Sequence, residues 1–162
     1  MDDPPFNAPD LSIQRAEVHD IPHIQSIIHE AYRKYIPRMN KLPVPMTTDY
    51  ISLLASPDHS IFVLRPTNKE IVGALILYHN TKDEVQIDNV VVDSKAQGCG
   101  YGRVLMRYAE DFAKYRGRNA LILYTNVVMV ENLALYPKMG FTETGRRTEE
   151  GFERVYFRKE LL

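Results

Sequence analysis

The sequence holds one cysteine in 162 residues. Cys99 has no partner, so the chain can form neither an intrachain disulfide nor a cysteine-based zinc cluster. That suits a reducing, cytoplasmic setting. Net charge is equally scarce: 20 basic and 21 acidic side chains give −1 at pH 7, which leaves no general footprint for nucleic acid or an anionic membrane surface. No apolar run approaches the roughly 20 residues that a membrane helix needs. The opening MDDPPFNAPD has neither the basic start nor the apolar stretch of a secretion signal, and residues 1–10 read as a flexible lead-in. Histidines are too sparsely spaced for a metal: Pro22 interrupts His19 and His23, and HEAYR at His29 lacks the second histidine of H-E-x-x-H. Residues 11–162 therefore form one domain, and 44% hydrophobic content is enough for a single core with small or neutral partners.

LSIQRAEV alternates apolar and polar positions and reads as a first strand. Asp20 and Pro22 then open a helix whose apolar face runs Ile21, Ile24, Ile27, Ile28, Ala31 and Tyr35, stopped by Pro37. IPRMNKLPVPM carries three prolines and reads as a loop. Thr48 or Asp49 caps a short helix through Leu54. SIFVLRP and EIVGALILYH make a hairpin, EVQIDNVVVD a third consecutive strand, and Gly100 to about Arg116 a helix. NALILYTNVV is a buried strand, MVENLALYPKM a short helix, and two strands turning at Glu150-Gly151 close the chain. This predicts an α/β domain with a central mixed, mostly antiparallel sheet of about seven strands and about four helices.

The junction VVVDSKAQGCGYGRVL places three glycines in five positions between a strand and a helix. Backbone N–H groups and the positive end of a helix dipole converge there, an arrangement that binds phosphate; the same junction can also serve only to cap and turn. Two phosphate motifs fail by spacing. A G-x-G-x-x-G starting at Gly98 ends on Arg103, and no lysine follows the glycines as a P-loop requires. Cys99 at the helix start is a candidate for a lowered thiol pKa, but a phosphate cradle would occupy the spot.

Gln97-Gly98-Cys99-Gly100-Tyr101-Gly102 fits [RQ]-x-x-G-x-[GA] after the strand NVVVD, and resembles the acetyl-CoA signature of the GCN5-related N-acetyltransferases. TNVVMVENLALYPKMGF resembles that family's second block, and the element order agrees over residues 11 to 160. The resemblance implies an acetyl-CoA-dependent N-acetyltransferase, commonly a homodimer, acting on a small-molecule or peptide amine by direct transfer in a ternary complex. It implies that Gln97, Gly98, Cys99, Gly100, Tyr101 and Gly102, with Arg103 beside them, hold the pyrophosphate. Val90, Val91 and Val92 would pair with the pantetheine arm like an added strand, Asn132 would contact it, and Tyr136 would protonate the leaving sulfur. A phenol is protonated at neutral pH and can reprotonate a thiolate.

Two departures stand out. Pro137 follows the acid inside its helix. Gln86 occupies the place where histone-type members carry a glutamate base, and glutamine cannot take a proton. Asp88 is then the first choice of base, directly or through a water, with Glu84 on the same face by strand period. The departures keep a second reading open, a non-catalytic acetyl-CoA-binding sensor. Tyr32, Tyr35, Arg38, Met39 and Met46 form the expected acceptor rim, suited to a small amine with an apolar body and with Arg38 available to a carboxylate.

Overall fold

The computed structural model describes residues 3–162. Seven strands, β1 (Leu11–Arg15), β2 (His59–Pro66), β3 (Gly73–Tyr78), β4 (Glu84–Val92), β5 (Ala120–Asn126), β6 (Thr142–Glu149) and β7 (Phe152–Glu160), form one sheet. Their order is β1-β2-β3-β4-β5-β7-β6. Every pairing is antiparallel except β4 with β5, as the sequence pattern led us to expect. The helices are α1 (Ile21–Tyr32), the single turn α2 (Ile36–Met39), α3 (Tyr50–Ala55), α4 (Tyr101–Tyr115) and α5 (Val130–Lys138). Of the two cap candidates for α3, Asp49 serves, its carboxylate accepting from Ser52 N at 3.1 Å.

Two expectations are corrected. The first helix does not run on to Pro37: α1 ends at Tyr32, a 3-10 turn carries Arg33–Tyr35, and Pro37 sits in the first turn of α2. A first turn has no acceptor for the N–H that proline lacks, so Pro37 opens a helical turn instead of ending one. The lead-in, over its described residues 3–10, is docked. Arg15 holds the Asp3 carboxylate with two bonds of 2.6 and 2.7 Å, and Tyr108 Oη donates to Pro4 O at 3.2 Å. Phe6 meets the Tyr108 ring edge-on at 6.1 Å.

The sheet separates two cores. On one face α1 buries Ile21, Ile24, Ile27 and Ile28 against Ile61, Val63, Ala74 and Ile76. On the other, α4 buries Leu105, Tyr108, Ala109 and Phe112 against Phe62, Leu75 and Leu77. Full burial of each large apolar side chain contributes roughly 1.5–3 kcal/mol. β4 changes allegiance partway. Val85 and Ile87 face the α4 side, whereas Val90 and Val92 do so further on and Val91 faces α1. The cause is a bulge: Ile76 pairs with Asn89 and Leu77 with Ile87, which leaves Asp88 as the extra residue.

β4 and β5 pair only over Glu84–Gln86 and Ala120–Ile122, although β4 continues to Val92 and β5 to Asn126. Beyond Gln86 the two strands part. Backbone groups along the β5 side of β4 lose their ladder partners there, and the sheet opens from one face toward the other.

Candidate active site

The parting is flanked by two cavities. The larger, about 620 Å³, lies toward α1 and α3; the smaller, about 360 Å³, lies toward α4 and the glycine loop. Val90, Val92, Gln97, Asn132, Leu135 and Tyr136 line both. A group seated between the strands therefore touches both chambers.

In the smaller cavity, Gly98 and Gly100 adopt φ of +86° and +81°, and a Cβ at either would meet nothing within 4 Å. Glycine here answers to the left-handed backbone, which costs other residues roughly 1–2 kcal/mol. Gly100 caps α4, whose first helical bond in this turn is Val104 N–H to Gly100 O at 3.2 Å. The amides of Tyr101, Gly102 and Arg103 thus have no intrahelical acceptor and open toward the cavity those residues line. The chemistry fits an anion, and a pyrophosphate has the oxygens to use several such donors.

Tyr136 is only 9% exposed, held between Phe141 and Phe157 with ring centroids 5.7 Å from each. Burial, with neighbouring Tyr35 adding to it, pushes its phenol up to about 12. It keeps its proton at any working pH. Pro137, next to the last residue of α5, withholds the N–H that would reach the Leu133 carbonyl, yet the helix runs on to Lys138, and the Tyr136 carbonyl accepts from both Met139 N at 3.0 Å and Phe141 N at 3.1 Å. Asn132 donates to Thr125 Oγ1 at 3.1 Å, tying α5 to the end of β5.

In the larger cavity, Asp88 Oδ1 accepts from Gln86 Nε2 at 2.7 Å and Oδ2 lies 3.5 Å from His59 Nε2. Burial raises the Asp88 carboxyl above its ordinary value, with the bond from Gln86 and the nearby His59 working against the shift. Asn89 is buried, its Oδ1 accepting from Tyr32 Oη at 3.1 Å while its Nδ2 has no partner among the described residues. Six tyrosines, Tyr32, Tyr35, Tyr50, Tyr78, Tyr124 and Tyr136, line the walls.

A family model described as the acetyltransferase (GNAT) family matches residues 23–141. The chain belongs to that family. The match takes in the parted strands, the glycine loop and α5. The chain is 34% identical over 89 residues to streptothricin acetyltransferase of Streptomyces lavendulae, covering 54% of this chain and 47% of that protein. It is 30% identical over 95 residues to IAA acetyltransferase of Azospirillum brasilense, covering 59% of this chain and 62% of that one. The chain thus spans less than two thirds of the length of these relatives. Among solved structures it resembles the ribosomal-protein-S18-alanine N-acetyltransferase of Escherichia coli, with TM-score 0.70 and 22% identity over 93% of each chain. It also resembles a GNAT acetyltransferase of Elizabethkingia anophelis with acetyl-CoA bound, TM-score 0.68 and 20% identity over 95% of this chain and 100% of that one. At such identities the likeness is one of fold.

For this GNAT member, most residues named from sequence gather at the parting. Val90, Val92, Gln97, Gly98, Gly100, Tyr101, Gly102, Arg103, Asn132 and Tyr136 line the smaller cavity. Cys99 is exposed and does not line it, and Val91 turns toward the α1 core as the bulge dictates. Asp88 lines the larger cavity, but Glu84 does not; its carboxylate is 3.3 Å from Arg158 Nη1. Tyr32, Tyr35 and Met39 line the larger cavity, whereas Arg38 and Met46 lie outside it. Arg38 is engaged elsewhere, with Glu131 Oε1 at 2.6 Å and Val128 O at 3.2 Å. It is not the free cation that the sequence suggested. Sequence reasoning did not reach His59, Tyr50, Tyr78, Tyr124 or Asn89. For Asn89 a signal existed: two adjacent polar residues, Asp88-Asn89, break the strand's alternation, as a bulge does.

Among the described residues no helix is long and apolar enough to cross a membrane.

Proposed function

We propose that the chain moves the acetyl group of acetyl-CoA to the primary amine of a small acceptor by direct attack in a ternary complex. The observation that carries this reading is the place of Tyr136, a buried phenol that borders both chambers where they meet. A sensor that only bound acetyl-CoA would have no need of a proton donor at that junction.

The glycine loop and the first turn of α4 hold the pyrophosphate through backbone donors, and Arg103 adds charge. The unpaired edge of β4 at Val90–Val92 binds the pantetheine arm as an extra strand would, and one of its amides polarises the thioester carbonyl. Asn132 steadies the arm. Asp88 takes a proton from the attacking nitrogen, directly or through a water, as the C–N bond forms. As the C–S bond breaks, Tyr136 gives its hydroxyl proton to the departing sulfur and recovers one from solvent. The ionised form of Asp88 is the working one, and Gln86 orients it in place of serving as base. A reducing, cytoplasmic compartment suits the single exposed cysteine.

The test is release of free CoA thiol from acetyl-CoA against a panel of amines, with Tyr136→Phe run beside the parent. Acceptor-dependent release that collapses in the variant while acetyl-CoA affinity holds supports the reading. An unimpaired variant overturns the role of Tyr136, and absence of acetyl-CoA binding overturns the whole.

A further inference from the structure

The charges around the larger cavity are mostly spent on one another. Lys34 Nζ lies 3.1 Å from Glu131, whose other oxygen receives Arg38 at 2.6 Å. The bonds from Arg38 and Lys34 hold the Glu131 carboxyl down at about 2, so it remains ionised beside both cations. Arg154 lies over the Tyr124 ring at 4.4 Å with Glu149 at 3.8 Å. Among the described lining residues this leaves Asp88 as the acidic group without an Arg or Lys partner; beside it stand only Gln86 and His59. Tyr32, Tyr50, Tyr78 and Tyr136 supply apolar ring surface to the same cavity. At Asn89 an Nδ2 without a partner among the described residues, on a residue 5% exposed, adds the two N–H donors of one amide group.

We propose that the acceptor is a monocationic amine carrying an aromatic or similarly flat apolar body and no carboxylate. This deepens, and rests on, the transferase reading of the same cavity. One unpaired carboxylate matches one ammonium on arrival; the nitrogen gives one proton to solvent before it attacks and the second to Asp88 as the C–N bond forms. The second and third charges of a polyamine would have no partner, and placing them among tyrosines would strip their hydration without compensation. An amino acid's carboxylate would face the Asp88 charge, with Lys34, Arg38 and Arg154 already engaged. The rings bury the acceptor's body and attract its ammonium.

Three probes separate these cases: 2-phenylethylamine, phenylalanine, which differs from it by one carboxylate, and spermidine. With the intact chain and saturating acetyl-CoA, kcat/KM for 2-phenylethylamine is expected at least tenfold above either of the others. Glu131→Gln, an exposed substitution that releases Lys34 and Arg38, should narrow the gap between phenylalanine and 2-phenylethylamine several-fold. Equal or better use of phenylalanine or spermidine overturns the inference, as does a gap that Glu131→Gln leaves unmoved. Should acetyl-CoA bind and none of the probes be acetylated, calorimetric titration of the CoA-loaded protein decides. Preferential binding of 2-phenylethylamine keeps the acceptor class and sinks the transfer reading; absence of that preference sinks the acceptor class.

Discussion

Gln86 donates its side-chain amide to Asp88 Oδ1 at 2.7 Å. The residue that cannot serve as a base thus orients the neighbour that can, and the bulge at Asp88 keeps both within the larger cavity. Under the proposed mechanism Asp88 works ionised, and because burial raises its carboxyl, activity is expected to fall as pH drops through a value above the ordinary carboxylate, about 3.9. Glu131, held at about 2, titrates below that window and does not contribute to this limb. We expect the acid limb of the pH profile of kcat/KM to disappear in Asp88→Asn along with most of the rate.

The same substitution has an opposite consequence for stability. A carboxyl whose pKa is higher in the folded chain favours folding at low pH, and that contribution is lost as pH rises through the folded value. Asp88→Asn removes a desolvated charge and should raise Tm at pH 7 but not at pH 3, as read by thermal unfolding at both.

Tyr136→Phe keeps the ring that packs on Phe141 and Phe157 and removes only the hydroxyl, the proposed proton donor. The expected outcome is a fall in kcat of about 10²–10⁴-fold, with acetyl-CoA Kd and Tm little changed. Titration calorimetry and stopped-time thiol assays check both halves.

Gly100 and Gly102 look alike in the motif and differ in backbone. Gly100 sits at φ +81°, so Gly100→Ala should cost roughly 1–2 kcal/mol and weaken acetyl-CoA by re-aiming the amides of the first turn. Gly102 lies inside α4, where a Cβ would meet only Val92 at an ordinary 3.9 Å. Gly102→Ala should leave stability unchanged or raise it by up to about 1 kcal/mol. Denaturant unfolding distinguishes the two.

Tyr32→Phe leaves Asn89 Oδ1 without its 3.1 Å donor in a buried position. A loss of about 1–3 kcal/mol is expected, larger than for the exposed Tyr115→Phe, measured by chemical unfolding.

The residues that fix a backbone were legible in the sequence. Gly98 and Gly100 announced the turn, the isoleucines of α1 its buried face, and Asp49 was one of two caps proposed for α3. What hid was pairing across distance. That Arg38 is taken by Glu131, 93 positions on, follows from the 33–49 segment lying near α5, which no local pattern records. Tyr50, Tyr78 and Tyr124 carry no local sign of the site, because nothing in a linear sequence says that β4 and β5 part. Pro37 misled for the converse reason, since proline opens a helical turn as readily as it ends one.

The opening between β4 and β5 is made by main chain, not by side chains. On the proposed function, position and taste are written in different parts of the gene product: the hydrogen-bond register at Glu84–Gln86 would set where a thioester lies, and the rings and ion pairs above it which nucleophile reaches it. A new acceptor could be acquired by changing wall residues such as Tyr50 or Glu131 while the reacting carbon stays where the register put it.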